Sequence, residues 1–328
     1  MAYEKSEAVE LVIAAGHRLV EAGLIARTWG NISARISDTQ FVITPSGMAY
    51  DRLTAKDIVT VNIADCSYEG DIKPSSEKGI HAECYRLRPD VNFVVHTHQL
   101  YATACGTVGE ALEAPGVLPG GTAPCAEYAI SSTKMLKKKV SACIEKNPEA
   151  RAFFMRCHGA LFLGTDFDDA FELSAKLEEL CRGEVEKKLS LGSENEYHVL
   201  PDGLLGGIEE DSAIFVSSPA VAQTCKKRGR LRPMIDDMAQ IGGVSFACVR
   251  EKGNIVRALK GRNAVLIRNG GAVCTGVNED EAGAVASVLE KNCLAQLYSE
   301  ACGKKQQLGR LDALLQRTIY VMKYSKLK

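Results

Sequence analysis

An apolar run, Phe93-Val94-Val95, leads directly into His96-Thr97-His98. In a strand, side chains two residues apart share a face, so both imidazoles can converge on one ion. Histidine nitrogen suits zinc, and three protein ligands leave a catalytic position open. The remaining histidines stand at 17, 81, 158 and 198. His158 is the natural third ligand. It is expected at the end of another strand, and Gly159 after it lets backbones approach closely. A solvent-exposed pair of histidines is the plain alternative, because this spacing alone is a weak signal.

Around this run, helix-type and strand-type patterns alternate. Residues 7–22 carry apolar side chains at helical spacing, at Val9, Val12, Ile13, Leu19 and Val20, and Gly23 then stops the helix. Short strand-like runs follow at 31–36, 40–44 and 58–63, with Pro45-Ser46-Gly47 as a turn. Ser75 or Ser76 can cap a helix that reaches Arg86 before Arg88-Pro89-Asp90 breaks it. Residues 152–163 read as one strand, and 167–186 as an amphipathic helix.

The 328 residues suffice for one large or two ordinary domains. A net charge of -1 gives no reason to invoke nucleic acid or an anionic membrane. The basic runs Lys137-Lys138-Lys139 and Lys226-Lys227-Arg228 read as solvated helix faces. The N-terminus does not read as a signal peptide, and no apolar run approaches the roughly 20 residues of a membrane span. Twelve scattered cysteines, none in CxxC spacing, read as reduced and mostly buried. A cytoplasmic location is the resulting expectation.

Residues 189–210, rich in Gly, Asn, Ser and Glu, read as a linker. Beyond it, Arg268-Asn269-Gly270-Gly271-Ala272 and a following acidic helix echo Arg156-Cys157-His158-Gly159-Ala160 and its own acidic helix. The expected organisation is a catalytic domain at 1–188, a linker at 189–210, and a C-terminal lobe at 211–328. That lobe is a degenerate half-repeat in this reading, with Gly270 where His158 stands. Chance similarity of two strand-turn-helix units is the alternative.

Glu77 follows Pro74-Ser75-Ser76. From position alone it reads as an acidic residue favoured at a helix start. The chemical reading is a general base beside a metal, with the serines offering donors to a phosphate. Gly30-Asn31-Ile32-Ser33 and Thr44-Pro45-Ser46-Gly47 can surround a phosphate or be ordinary turns. Neither is a nucleotide fingerprint.

In order along the chain, Thr28-Trp29-Gly30-Asn31-Ile32-Ser33, Ile43-Thr44-Pro45-Ser46-Gly47, Pro74-Ser75-Ser76-Glu77, His96-Thr97-His98, Pro124-Cys125-Ala126-Glu127-Tyr128 and His158-Gly159 resemble the class II aldolase/adducin family over about residues 5–190. The resemblance implies an α/β fold, an α/β/α sandwich around a mainly antiparallel sheet, in homo-oligomers with sites between neighbouring subunits. It implies Zn2+ on His96, His98 and His158, with Glu77 as acid/base and possible fourth ligand. It implies a substrate phosphate held by Thr28, Asn31, Gly47, Ser75 and Ser76. The implied activity is that of a lyase, an aldolase acting on a small sugar phosphate through a metal-stabilised enediolate. A dehydratase or decarboxylase of the same family, or a non-catalytic adducin-like module, is the alternative. Sugar-phosphate aldolases of the family place a tyrosine near Glu113-Ala114-Pro115-Gly116-Val117, where this chain has none.

Overall fold

A computed structural model describes residues 2–21, 29–191, 197–198, 212–227, 229–250, 255–304 and 307–324. Thr28, the helix stop at Gly23 and most of the 189–210 stretch lie outside them. The chain forms two compact units, Met1–Arg182 and Gly183–Lys328.

The first unit is built from α1 (Lys5–Glu21), β1 (Asn31–Arg35), β2 (Gln40–Ile43), β3 (Val59–Asn62), α2 (Lys78–Leu87), β4 (Phe93–Thr97) and α3 (Leu100–Gly106). There follow the short strands β5 (Leu112–Glu113), β6 (Thr122–Ala123) and β7 (Cys125–Ala126), then α4 (Lys134–Lys146), β8 (Ala152–Met155), β9 (Gly159–Gly164) and α5 (Phe167–Lys188). Seven strands make one sheet in the order β3-β2-β1-β4-β9-β8-β7. Every neighbouring pair is antiparallel except β7 with β8.

Both faces of this sheet are covered, which is why its strands read as nearly continuous apolar runs. Phe41, Ile43, Val94, Phe153, Met155, Leu161 and Leu163 join Ile80, Tyr85, Leu136, Val140 and Ile144 of α2 and α4 in one core. The alternate residues Val42, Val95, Phe154 and Phe162 are equally buried. They face the other way, where α1 contacts β1 and β2, and α3 contacts β8 and β9. In α1, buried Ala8, Val12, Ala15 and Leu19 form the stripe that meets the sheet.

The expected single strand at 152–163 is corrected: it is two, paired antiparallel across a tight turn. Cys157 sits at a φ of 59° there, and the backbone reverses at once. His158 therefore stands in the turn and not at a strand end.

The second unit begins with β10 (Tyr197–His198) and β11 (Ala213–Val216), followed by α6 (Pro219–Lys227), β12 (Arg230–Leu231), a π-helical turn at Met238–Gly242 and β13 (Phe246–Val249). It continues through α7 (Ile255–Leu259), β14 (Ala264–Ile267), β15 (Ala272–Thr275), α8 (Glu279–Ala301) and α9 (Arg310–Ile319). Its sheet runs β10-β11-β15-β14-β13-β12. Helix α8 starts where the Asn278 side chain accepts from the Glu281 N–H, and Glu279, Asp280 and Glu281 favour the positive end of its dipole.

Candidate metal centre

Three imidazoles meet at the end of β4. His96 Nε2 lies 2.9 Å from His98 Nε2 and 3.2 Å from His158 Nε2. One ring nitrogen from each histidine lies within 4.8 Å of the others, and all three side chains are buried. The β8–β9 turn delivers His158 because Gly159 has no side chain. A Cβ there would stand 2.2 Å from the Thr97 carbonyl oxygen and 3.0 Å from His96 Cε1.

Glu77 closes the cluster from the start of α2. Its Oε1 lies 3.1 Å from His158 Nε2 and its Oε2 3.4 Å from His96 Nε2. Two contacts set the helix. Ser75 Oγ accepts from the Glu77 N–H. At the other end, Arg35 of β1 donates to the carbonyls of Tyr85, Arg88 and Val91, placing a cation at the helix C-terminus. On the other side of His98, the Gln99 amide donates to the Ser174 carbonyl, and the Glu178 carboxylate accepts from the N–H groups of Tyr101 and Ala102 at the start of α3.

The donor set fits a cation. His96 Nδ1 lies 2.8 Å from the Ala160 carbonyl oxygen, which can only accept. Burial depresses His96 to about 3, so the ring is neutral and its Nε2 is a bare lone pair. Burial by itself would raise the Glu77 carboxyl; the Asn31 amide donating to Oε2 opposes this and favours the carboxylate. Glu77 Oε1 is buried without a hydrogen-bond donor. Lone pairs and a carboxylate oxygen facing one another away from water repel, and a divalent cation among them relieves that cost. The nitrogen-rich set, with a carbonyl orienting His96 from behind, suits zinc.

Asn31 reaches Glu77 from β1, donating from Nδ2 to Oε2 at 3.0 Å. Its Oδ1 lies 2.5 Å from His81 Nε2. His81 Nδ1 lies 2.6 Å from Ser33 Oγ, which is 2.7 Å from the Tyr85 hydroxyl. All of these side chains are buried. Sequence reading places no role on His81 or Tyr85, and gives Ser33 only a place in a candidate phosphate loop. The signal was present: His81 is four residues after Glu77 on one helix, and Ser33 two after Asn31 on one strand.

Gly47, Ser75 and Ser76 sit on two loops joined by backbone bonds. The Ser46 N–H donates to the Lys73 carbonyl, and the Ser75 N–H to the Thr44 carbonyl. Gly47 turns its loop at a φ of 77°. Ser76 Oγ lies 2.9 Å from Ser132 Oγ.

Residues 10–185 match the family described as the Class II Aldolase and Adducin N-terminal domain. The chain belongs to the class II aldolase/adducin family. It is 34% identical over 173 residues to 5-deoxy-D-ribulose 1-phosphate aldolase of Bacillus thuringiensis serovar kurstaki, a match spanning 52% of this chain and 80% of that one. Among solved structures it is similar to an L-fuculose 1-phosphate aldolase, at 30% identity and a TM-score of 0.52, covering 60% of this chain and 92% of that one. It is also similar to L-fuculose-1-phosphate aldolase from Thermus thermophilus, at 28% identity, a TM-score of 0.47, and 55% and 93% coverage. The first unit is thus a sugar-phosphate aldolase-like lyase domain, and the second is an additional α/β region beyond the match.

Proposed function

We propose that this chain is a zinc-dependent aldolase that cleaves and forms a carbon–carbon bond in a short ketose 1-phosphate. The observation that carries the reading is the convergence of three buried imidazole nitrogens on one point with the Glu77 carboxylate at its edge. His96, His98 and His158 would hold the zinc, which would supply Lewis-acid polarisation of carbonyl and hydroxyl oxygens. Glu77 is ionised and within reach of any group bound beside the histidines. In cleavage Glu77 accepts the proton of the substrate hydroxyl as the carbon–carbon bond breaks, leaving an aldehyde and an electron pair on the carbon next to the carbonyl, and returns that proton to the carbon; synthesis runs the same transfers in reverse. The buried surroundings of Glu77 and the histidines exclude bulk water from this exchange.

Thr28, Asn31, Gly47, Ser75 and Ser76 are proposed to hold the phosphate, with the Asn31 side chain also serving Glu77. The two joined loops and the start of α2 support this, since a helix N-terminus favours an anion. The names of the relatives support a ketose 1-phosphate, with dihydroxyacetone phosphate and a short aldehyde as products. All twelve cysteines are free, and no described helix is long and apolar enough to cross a membrane. The free cysteines support a reducing, cytoplasmic setting. A homo-oligomer is proposed on the family resemblance.

The test is release of triose phosphate by the zinc-loaded full chain from 5-deoxyribulose 1-phosphate and fuculose 1-phosphate, beside the same ketoses without phosphate. We expect kcat/KM at least about 100-fold higher for a phosphorylated substrate, since each hydrogen bond to a charged group is worth about 1.5–3 kcal/mol. No triose phosphate from any ketose phosphate, or equal turnover of the bare ketoses, overturns the reading.

A further inference from the structure

The buried chain behind Glu77 has only one consistent arrangement of protons. A carboxylate can only accept, so Asn31 must present its amide Nδ2 to Glu77. Asn31 then faces His81 with its carbonyl Oδ1, and His81 Nε2 must carry a proton. Burial lowers His81 to about 4, so the ring is neutral and Nδ1 is bare. Ser33 must donate its hydroxyl proton to Nδ1, leaving its oxygen to accept from the Tyr85 hydroxyl. The chain of donors runs one way, from Tyr85 through Ser33, His81 and Asn31 to Glu77.

We propose that His81, fixed by Ser33 and Tyr85, sets the orientation of the Asn31 carboxamide and thereby holds Glu77 as an oriented carboxylate. These are positioning residues; the inference rests on the acid/base role proposed for Glu77. Without His81 the Asn31 amide can turn over, and its carbonyl oxygen would then face the carboxylate. That loses a charge-assisted bond and adds a repulsion at the group that exchanges the proton.

Two measurements on the full chain test it. Ring-nitrogen NMR, with His81→Gln to assign the signals, should show His81 as a neutral Nε2–H tautomer at pH 7. An Nδ1–H tautomer or a cationic ring overturns the proposal whether or not the protein is an aldolase. In kinetics, His81→Phe should keep its zinc and leave KM within about threefold. Its kcat should fall about tenfold to hundredfold, the rate equivalent of one hydrogen bond to a charged group. His81→Gln, which retains a donor towards Asn31, should recover much of that loss. Equal losses in both variants, or zinc loss in parallel with kcat, assign His81 a merely structural role. If no ketose phosphate is cleaved even by the unaltered chain, the functional reading fails while the tautomer result stands.

An independent observation lies in the second unit. Its strand order β11-β15-β14-β13 matches β4-β9-β8-β7 of the first unit. In both, the first two pairings are antiparallel and the third parallel. The β14–β15 turn repeats the β8–β9 turn: Asn269 has the φ of 59° found at Cys157. The Gly270 N–H bonds the Ile267 carbonyl as the His158 N–H bonds that of Met155, and the Arg268 N–H bonds Val249 as Arg156 bonds Ala126. A Cβ on Gly271 would stand 2.2 Å from the Val216 carbonyl oxygen, the same distance found between Gly159 and Thr97. Thr97 opposes Ala160 and Val216 opposes Ala272, so the registers agree.

We infer that residues 212–302 are a second copy of the half-domain beginning at β4, one that has Phe215, Ser217 and Gly270 at the positions of His96, His98 and His158. The copy has apolar, hydroxyl and hydrogen side chains where the first has ligands. Among the described residues of the second unit, the short β10 stands beside β11 as β1 does beside β4, but there is no counterpart of β2, β3 or the α2 that carries Glu77. The described residues of the copy therefore lack the ligand set of the first centre.

The equivalence predicts a gain of function. Phe215→His, Ser217→His and Gly270→His together, in the full chain, should bind one more zinc per chain than the unaltered protein. The gain should survive when His96→Ala disables the original centre. Gly270 has no positive φ, and a Cβ there meets Ile267 at an ordinary 3.5 Å, so the backbone accepts a side chain. A folded triple variant with no additional metal overturns the inference. If the triple variant does not fold, the Phe215→His, Ser217→His double variant should gain a nickel site, and a folded double variant without one is equally decisive.

Discussion

His96→Ala should purify as a folded protein holding less than about a tenth of the zinc of the unaltered chain, after both are dialysed against a chelator, and should have no measurable aldolase turnover. A ring that touches both others is lost: His96 Nε2 lies 2.9 Å from His98 Nε2 and 3.2 Å from His158 Nε2. The strand itself does not depend on the imidazole. The main chain of β4 pairs with β1 through residues 93–96 and with β9 through residues 93–97. The substitution leaves a cavity and removes the His96 contact to the Ala160 carbonyl, costing about 2–5 kcal/mol. That lowers the unfolding midpoint without abolishing the fold. His17→Ala, on the exposed face of α1, is the control and should retain full metal. Elemental analysis beside circular dichroism separates the outcomes, and equal zinc in the unaltered chain and His96→Ala would remove the metal centre from the account.

How far the centre was legible in advance follows from where its parts lie in the chain. The pair at 96 and 98 is local: one strand repeat and an apolar approach suffice to put both rings on one face. The sequence puts His158 at a strand end because Met155-Arg156-Cys157-His158-Gly159 contains none of the Pro or Asn signals of a turn. The reversal is instead made by a left-handed cysteine and by the close passage of Gly159 over Thr97. Both arise only once β4 and β9 are paired. Glu77 alone looks like a helix-start residue, and it does stand at the N-cap of α2. What distinguishes it is contact with Asn31, 46 residues away, and with histidines farther along. The His81 contacts were legible only in part: the spacings from 77 to 81 and from 31 to 33 are local, but the links themselves join residues 48 to 52 apart. The echo at Gly270 could be read from the sequence, whereas Phe215 and Ser217 share nothing with His96 and His98 but register.

Glu77→Gln should retain most of the zinc and the whole of the fold while losing on the order of 10²–10⁴ in kcat, the usual contribution of a positioned proton-transfer group. The carboxamide has the shape of the carboxylate. Its oxygen can still accept from Asn31 Nδ2, and its NH₂ would replace the oxygen now 3.1 Å from His158 Nε2. The three histidines remain, so metal retention follows from the ligand count. What disappears is a group able to exchange a proton at the substrate carbon. Two roles for Glu77 predict opposite patterns. A carboxylate that merely favours the positive end of α2 is worth about 0.3–1 kcal/mol of stability, and its loss would lower the unfolding midpoint slightly with turnover intact. A base loses turnover with stability nearly unchanged, because replacing a buried anion by a neutral isostere also removes a desolvation cost. Solvent-proton exchange into dihydroxyacetone phosphate, followed by NMR in heavy water, isolates the step from aldehyde binding. It should slow by the same factor as cleavage. A Glu77→Gln enzyme that exchanges and cleaves at near-normal rates would reduce this residue to a helix-start carboxylate and move the acid/base role to another group.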